Sequence, residues 1–239
     1  MQQSLKNQVA LITGGGRGIG AATAEALARK GAQVIVASRT EAELTTTVAA
    51  LHTAGLKASL LVLDVADEAA VEAAFSRIAG EWGRLDILVN NAAILLSGPF
   101  AEMAMNDWDR LLAVNLRGAV LCARQAFRWM RERGGSVVNV SSLGGVPGTD
   151  KFPGYAAYTV SKFALTGLTE ALAAEGRDCH IRVNGVAPGA VDTAMLRQAA
   201  PHLRTCTVPA DVAKVIAFLC DPVESGCMTG AMLVINSNA

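Results

Sequence analysis

Short, continuously apolar runs alternate with longer helix-like segments along this chain, and that alternation limits the fold more than any other feature. The runs "QVALIT" (8–13), "AQVIVAS" (32–38), "KASLLVLDV" (57–65), "LDILVN" (85–90), "SVVNVS" (136–141), "HIRVNGVAP" (180–188) and "MLVIN" (232–236) have the length and composition of strands. Helical segments are expected at Arg17–Lys30, Glu41–Ala54, Asp67–Trp82, Asn106–Arg133 and Ala156–Arg177, with Gly31, Gly55 and the pair Gly134-Gly135 as stop signals. A strand apolar along its whole length is buried on both faces, so helices must cover both sides of a parallel sheet. Right-handed crossovers then give a doubly wound α/β sheet of about seven strands. Residues 1–239 show no internal repeat and no linker, which predicts a single domain of the Rossmann type.

Lys plus Arg and Asp plus Glu number 21 each. No basic excess points to nucleic acid or to an anionic membrane surface. No apolar run approaches the roughly 18 residues of a membrane span. The start "MQQSLKNQVALITGG" lacks the basic head, long apolar stretch and small-residue cleavage site of a secretory signal. The expectation is a soluble, cytoplasmic protein. Five cysteines form no C-x-x-C pair and are expected to be buried, reduced thiols. His52, His180 and His202 are scattered, without metal-ligand spacing.

The stretch "TGGGRGIG" (13–20) follows the first strand and opens the first helix, with Gly14, Gly18 and Gly20 in a G-x-x-x-G-x-G spacing. Glycines permit a tight turn and let the backbone approach a pyrophosphate at the positive end of a helix. An acid at the end of the second strand would bond the adenosine ribose and favour NAD. Here Ser38 stands at that place, 18 residues past Gly20, with Arg39 next to it. A serine and a guanidinium suit a 2′-phosphate, and Arg17 adds positive charge, so NADP(H) is the expected cofactor.

Together, "TGGGRGIG", "LDV" (63–65), "NNAA" (90–93), "VN" (114–115), "SS" (141–142), "YTVSK" (158–162) and "PGAVDT" (188–193) resemble the short-chain dehydrogenase/reductase family, in its order and over essentially the whole chain. The resemblance implies an NAD(P)-dependent oxidoreductase acting on CH-OH and C=O groups. It implies that Ile19 joins the glycines at the dinucleotide, that Asp64 and Val65 border the adenine, and that Asn91 supports the nucleotide floor. Pro188, Gly189 and Thr193 are implied at the nicotinamide end. The substrate lid falls at about 194–208, shorter than in many relatives. Homodimers or homotetramers are usual in the family. Its frequent Asp-Gly-Gly ending is missing from "LVINSNA" here, which leaves the subunit contacts at that end open.

Both tyrosines of the chain, Tyr155 and Tyr158, stand in "GYAAYTVSK". On a helix, Lys162 lies one turn from Tyr158, whereas Tyr155 has Thr159 there. A phenol titrates near 10, and a nearby ammonium is expected to tune it toward ~7 for proton exchange at neutral pH. Tyr-x-x-x-Lys thus selects Tyr158 as acid/base, and the family signature agrees. The family's serine precedes its tyrosine by 12 or 13 positions in many members, yet Ser142 precedes Tyr155 by 13 and Tyr158 by 16. The Gly- and Pro-rich loop "GVPGTDKFPG" (145–154) can absorb the difference. Tyr155 is left as a pocket wall or as packing at the helix start.

Ser142 or Ser141 faces the substrate, since an extended chain alternates faces; the family pattern favours Ser142. By the resemblance, Asn115 interrupts regular helix bonding and holds a water joining Lys162 to solvent. It also has the plainer reading of an amide bonded to nearby backbone. The expected substrate is a small carbonyl or alcohol. A 3-oxoacyl thioester leads, with a small ketone, sugar or cyclic alcohol as the alternative; a non-catalytic nucleotide sensor is the competing class. Arg124, Arg128, Arg131 and Arg133 form either a docking strip for an acyl carrier protein or a solvated helix face.

Overall fold

The computed structural model describes residues 3–236. Its strands are β1 (Val9–Thr13), β2 (Gln33–Ser38), β3 (Ala58–Val62), β4 (Ile87–Asn90), β5 (Gly135–Val140), β6 (Ile181–Pro188) and β7 (Met232–Ile235). They form one parallel sheet in the order β3-β2-β1-β4-β5-β6-β7. The order reverses between β1 and β4, and a crevice opens beyond the strand C-termini at such a point.

Successive residues of a strand point to opposite faces. Accordingly Ala10 and Ile12 of β1 enter one core, with Val34 and Val36 of β2. Val9 and Leu11 enter the other, with Ile35 and Ala37. Helices α1 (Gly18–Arg29), α2 (Glu41–Thr53) and α8 (Pro209–Cys220) close the first core through Leu27, Leu44 and Ile216. On the opposite side, α3 (Glu68–Trp82) and α5 (Gly118–Met130) supply Phe75, Ile78, Leu121 and Met130. Helix α6 (Ala156–Glu175) buries Leu165, Thr169 and Ala173. These layers make the apolar strands a necessity rather than a coincidence.

Three departures from the sequence reading have local causes. The expected helix 106–133 divides into α4 (Met105–Leu112) and α5, separated by a π-helical turn at Ala113–Arg117. Strand β3 stops at Val62, because Asp64 accepts the Ala66 N–H at 3.0 Å and turns the chain. Asp64 and Val65 therefore lie in the turn beyond the strand. The region after β6, left without delimited elements, contains α7 (Ala194–Ala199), α8 and α9 (Pro222–Ser225). Pro209 begins α8, and the Asp211 carboxylate accepts the Val208 N–H at 3.1 Å. The thiol expectation needs correcting too: only Cys122 and Cys220 are buried, while Cys206 and Cys227 are exposed. Among the described residues, no helix is long and apolar enough to cross a membrane. The last three residues of "LVINSNA" lie outside those described.

Candidate active site

The glycine turn sits between β1 and α1 at the mouth of the crevice. Gly14 and Gly18 have φ of +65° and +55°. A Cβ on Gly20 would stand 2.2 Å from the Gly14 carbonyl oxygen, so the turn closes only over glycine. Asn91 latches it from below, donating from Nδ2 to the carbonyls of Thr13 at 2.9 Å and Gly14 at 3.0 Å. The Thr13 hydroxyl accepts the N–H groups of Asn91 and Ala92, both at 3.1 Å.

At the end of β2, Ser38 Oγ accepts the Thr40 N–H at 3.3 Å. Arg39 stands 3.8 Å from the Asp64 carboxylate, and Arg17 stands 3.3 Å from that of Glu43. Glu43 had no signal in the sequence. It approaches because α2 runs past the turn, where a Cβ on Gly16 would meet the Glu43 Cβ at 3.0 Å.

Ser142 follows β5, and Tyr158 and Lys162 lie one turn apart on α6. All three line a cavity of about 870 Å³ that also contains the glycine turn, Asp64, Val65, Asn91, Pro188, Gly189 and Thr193. Ser141 is committed elsewhere: its buried hydroxyl donates to the Lys162 carbonyl at 2.8 Å. The Ser142 hydroxyl accepts the Gly144 N–H at 3.2 Å and hydrogen-bonds the Tyr158 phenol.

Burial is the main influence on Tyr158 and holds its phenol above the ordinary value; the Ser142 bond pulls it back, and Tyr155 pushes it up. This reverses the expected downward tuning by lysine. Lys162 Nζ lies over the Tyr158 ring, 5.6 Å from its centroid, and donates to the Val140 carbonyl at 2.8 Å. Burial pushes the Lys162 ammonium itself down to about 8.

Asn115 occupies the π turn, a geometry that recurs at functional sites. Its side chain grips Ile94 twice, accepting that N–H at 2.8 Å and donating to that carbonyl at 2.9 Å. It also donates to Ser161 Oγ at 3.2 Å. The backbone-bonded reading of this asparagine describes its side chain.

Around the far half of the cavity stand Ile94, Leu143, Phe152, Tyr155, Met195 and Leu196. Met195 and Leu196 belong to the expected lid segment, whereas Phe152 had not been singled out; its contribution depends on how two distant loops fold together. The Tyr155 phenol donates to the Ala199 carbonyl at 3.0 Å, and its ring meets that of Phe152 edge-on. Thr193, expected at the nicotinamide end, also caps α7 by accepting the Leu196 N–H at 3.2 Å.

Residues 8–204 match the family model described as short chain dehydrogenase. The chain belongs to the short-chain dehydrogenase family. This dehydrogenase is 39% identical to the short-chain reductase protein NovJ of Streptomyces niveus, over 94% of this chain and 91% of the relative. It is 35% identical to a 3beta-hydroxysteroid dehydrogenase of Mediterraneibacter gnavus, over 91% and 76%. It is 34% identical to a 3-oxoacyl-acyl-carrier-protein reductase of Thermotoga maritima, over 97% of each chain. A gluconate 5-dehydrogenase from Burkholderia cenocepacia, solved with NADP and tartrate, superposes with a TM-score of 0.89 at 31% identity, covering 98% of this chain and 96% of that one. The single-domain parallel fold and an oxidoreductase class acting on CH-OH or C=O groups follow for the dehydrogenase.

Proposed function

We propose that this short-chain dehydrogenase interconverts a ketone, or an aldehyde, and an alcohol with NADP(H). The observation that carries the reading is the meeting of Ser142, Tyr158 and Lys162 in one cavity with the glycine turn. The cleft suits a dinucleotide, since its closed glycine turn leaves backbone rather than side chains facing the space beside α1. Gly14, Gly18, Ile19 and Gly20 would carry the pyrophosphate, Asp64 and Val65 the adenine side, and Pro188, Gly189 and Thr193 the nicotinamide side. Arg17, Ser38 and Arg39 would hold the 2′-phosphate. A bound nicotinamide dinucleotide supplies or accepts the hydride.

In reduction, Tyr158 Oη gives its proton to the carbonyl oxygen, for which a phenol protonated at neutral pH is the correct form. Ser142 Oγ donates to the same oxygen as charge grows on it. Lys162 would hold the nicotinamide ribose and, with Asn115 and water, would return a proton to the phenol. Oxidation reverses these steps.

The far half of the cavity supports a neutral, apolar substrate such as an alicyclic ketone or secondary alcohol. Its two cationic side chains are engaged: Arg197 pairs with Asp192, and Lys151 Nζ donates to the carbonyls of Val146 and Thr149, both at 2.8 Å. Similarity to a hydroxysteroid dehydrogenase agrees with this. The 3-oxoacyl thioester reading rests on similarity to the Thermotoga reductase. Its carrier-protein strip is weakened, since Arg124 pairs with Glu68 at 3.2 Å and Arg128 bonds Gln125. Partly exposed Trp129 on α5, and exposed Val160 on α6, support a homodimer or homotetramer.

The test is nicotinamide absorbance with NADH and NADPH over alicyclic ketones, sugars and a 3-oxoacyl carrier-protein thioester. Turnover of an alicyclic ketone with NADPH preferred is expected. Binding of either nucleotide without turnover of any carbonyl would make the protein a nucleotide sensor instead.

A further inference from the structure

Tyr155 connects two parts of the cleft that the chain keeps 44 residues apart. Its backbone belongs to the start of α6: its carbonyl accepts the Thr159 N–H at 2.8 Å, three residues before Tyr158 opens toward the cavity. Its phenol reaches the Ala199 carbonyl at the end of α7. The base of the segment 192–207 is already closed, by the Asp192 N–H to the Thr207 carbonyl at 2.9 Å and by Thr205 Oγ1 to the Ala190 carbonyl at 2.9 Å. Among the described residues, the Tyr155 bond is the side-chain hydrogen bond that ties residues 194–203 to anything beyond 190–207.

The loop before Tyr155 is itself built to aim it. Gly154 has φ of +82°, and its carbonyl accepts the Gly98 N–H at 3.0 Å, joining this loop to the one after β4. Phe152 packs edge-on against the Tyr155 ring at 6.2 Å between centroids. Thr149 Oγ1 donates to the Leu143 carbonyl at 2.7 Å, folding the stretched segment back onto the residues beside Ser142. The extra residues between Ser142 and Tyr158 thus place a second phenol under the lid.

We propose that Tyr155 is a positioning residue, a strut that holds the lid segment 194–203 over the apolar half of the cavity and thereby sets how tightly a compact alicyclic substrate is bound. This rests on the substrate reading above, because Met195 and Leu196 of the segment so fixed line the same cavity as Tyr158. A neutral hydrogen bond that closes a lobe against solvent changes its open population by about 3–10-fold.

The test compares wild-type protein with Tyr155→Phe, which keeps the ring and removes the donor, and with Tyr155→Leu. Hydrogen exchange on the NADPH complex reads the lid directly. Amides of 196–203 in Tyr155→Phe should exchange about 3–10-fold faster, with those of α6 unchanged. KM for an alicyclic ketone should rise by a similar factor and exceed any change in kcat. NADPH affinity measured by fluorescence confirms that both variants are folded. Lid exchange equal to wild type in both variants overturns the strut, whatever KM does. A wild-type enzyme that binds NADPH but turns over no alicyclic ketone overturns the substrate reading instead, while lid exchange still decides the role of Tyr155.

Discussion

Lys162 Nζ donates to the Val140 carbonyl while lying over the face of the Tyr158 ring, so one buried cation touches the end of β5 and the phenol on its own helix. Burial lowers its pKa from 10.5 to about 8. Between these values the folded chain holds fewer protons than the unfolded chain, so the penalty for burying Lys162 is progressively relieved as pH rises from about 8 to 10.5. Below that window its burial opposes folding. The full effect is about 3 kcal/mol. Urea denaturation of wild type and Lys162→Met across pH 7.5–10.5 should show the difference between them growing in favour of wild type. Parallel profiles would contradict the assignment.

Ser142 acts on Tyr158 in the opposite direction to burial. Alcohol oxidation needs the phenolate, so its kcat/KM should rise through an alkaline limb. Ser142→Ala removes the bond that lowers the phenol, and should move that limb to higher pH. Loss of a donor at the developing oxyanion should also cost about 10²–10³ in kcat. An unmoved limb would separate Ser142 from the phenol.

Arg17 and Glu43 form an exposed pair beside the glycine turn, where the 2′-phosphate is proposed to bind. Glu43→Gln frees the guanidinium and removes a carboxylate that repels phosphate. Exposed pairs are worth ~0.2–1 kcal/mol, so NADPH should bind about 1.5–5-fold tighter and NADH about as before. Titration of both nucleotides by fluorescence checks this; equal gains for both would place Glu43 outside that end of the site.

Asn115→Ala leaves the N–H and carbonyl of Ile94 without their partner. Partly enclosed groups orphaned in this way cost about 1–3 kcal/mol. The melting temperature should fall by several degrees. Asn115→Asp, which keeps only the acceptor, should fall between the two; a variant as stable as wild type would show that the π turn holds itself.

The layered sheet was legible because its rule is simple: strands apolar on both faces need helices on both. The proposed acid/base pair was legible through one spacing, Tyr158 to Lys162. The break at Asn115 was legible only through the family resemblance, because helical periodicity itself continues through Val114 and Leu116. Glu43 reaches Arg17 only through the packing of α2 beside the glycine turn. The lysine–tyrosine spacing was legible, but its electrostatic consequence was not, since burial dominates both groups. The long interval from Ser142 to Tyr158 was visible as a departure from the family's spacing, but the bond from Tyr155 to Ala199 was not.

The most direct measurement of the central claim is single-turnover reduction by Tyr158→Phe, with NADPH binding measured on the same sample. The account predicts a loss of at least ~10³-fold in the chemical step, because the proton donor is gone, with NADPH affinity within about two-fold of wild type. A near-normal rate from Tyr158→Phe, or abolished chemistry in a folded, NADPH-binding Tyr155→Phe, would contradict it.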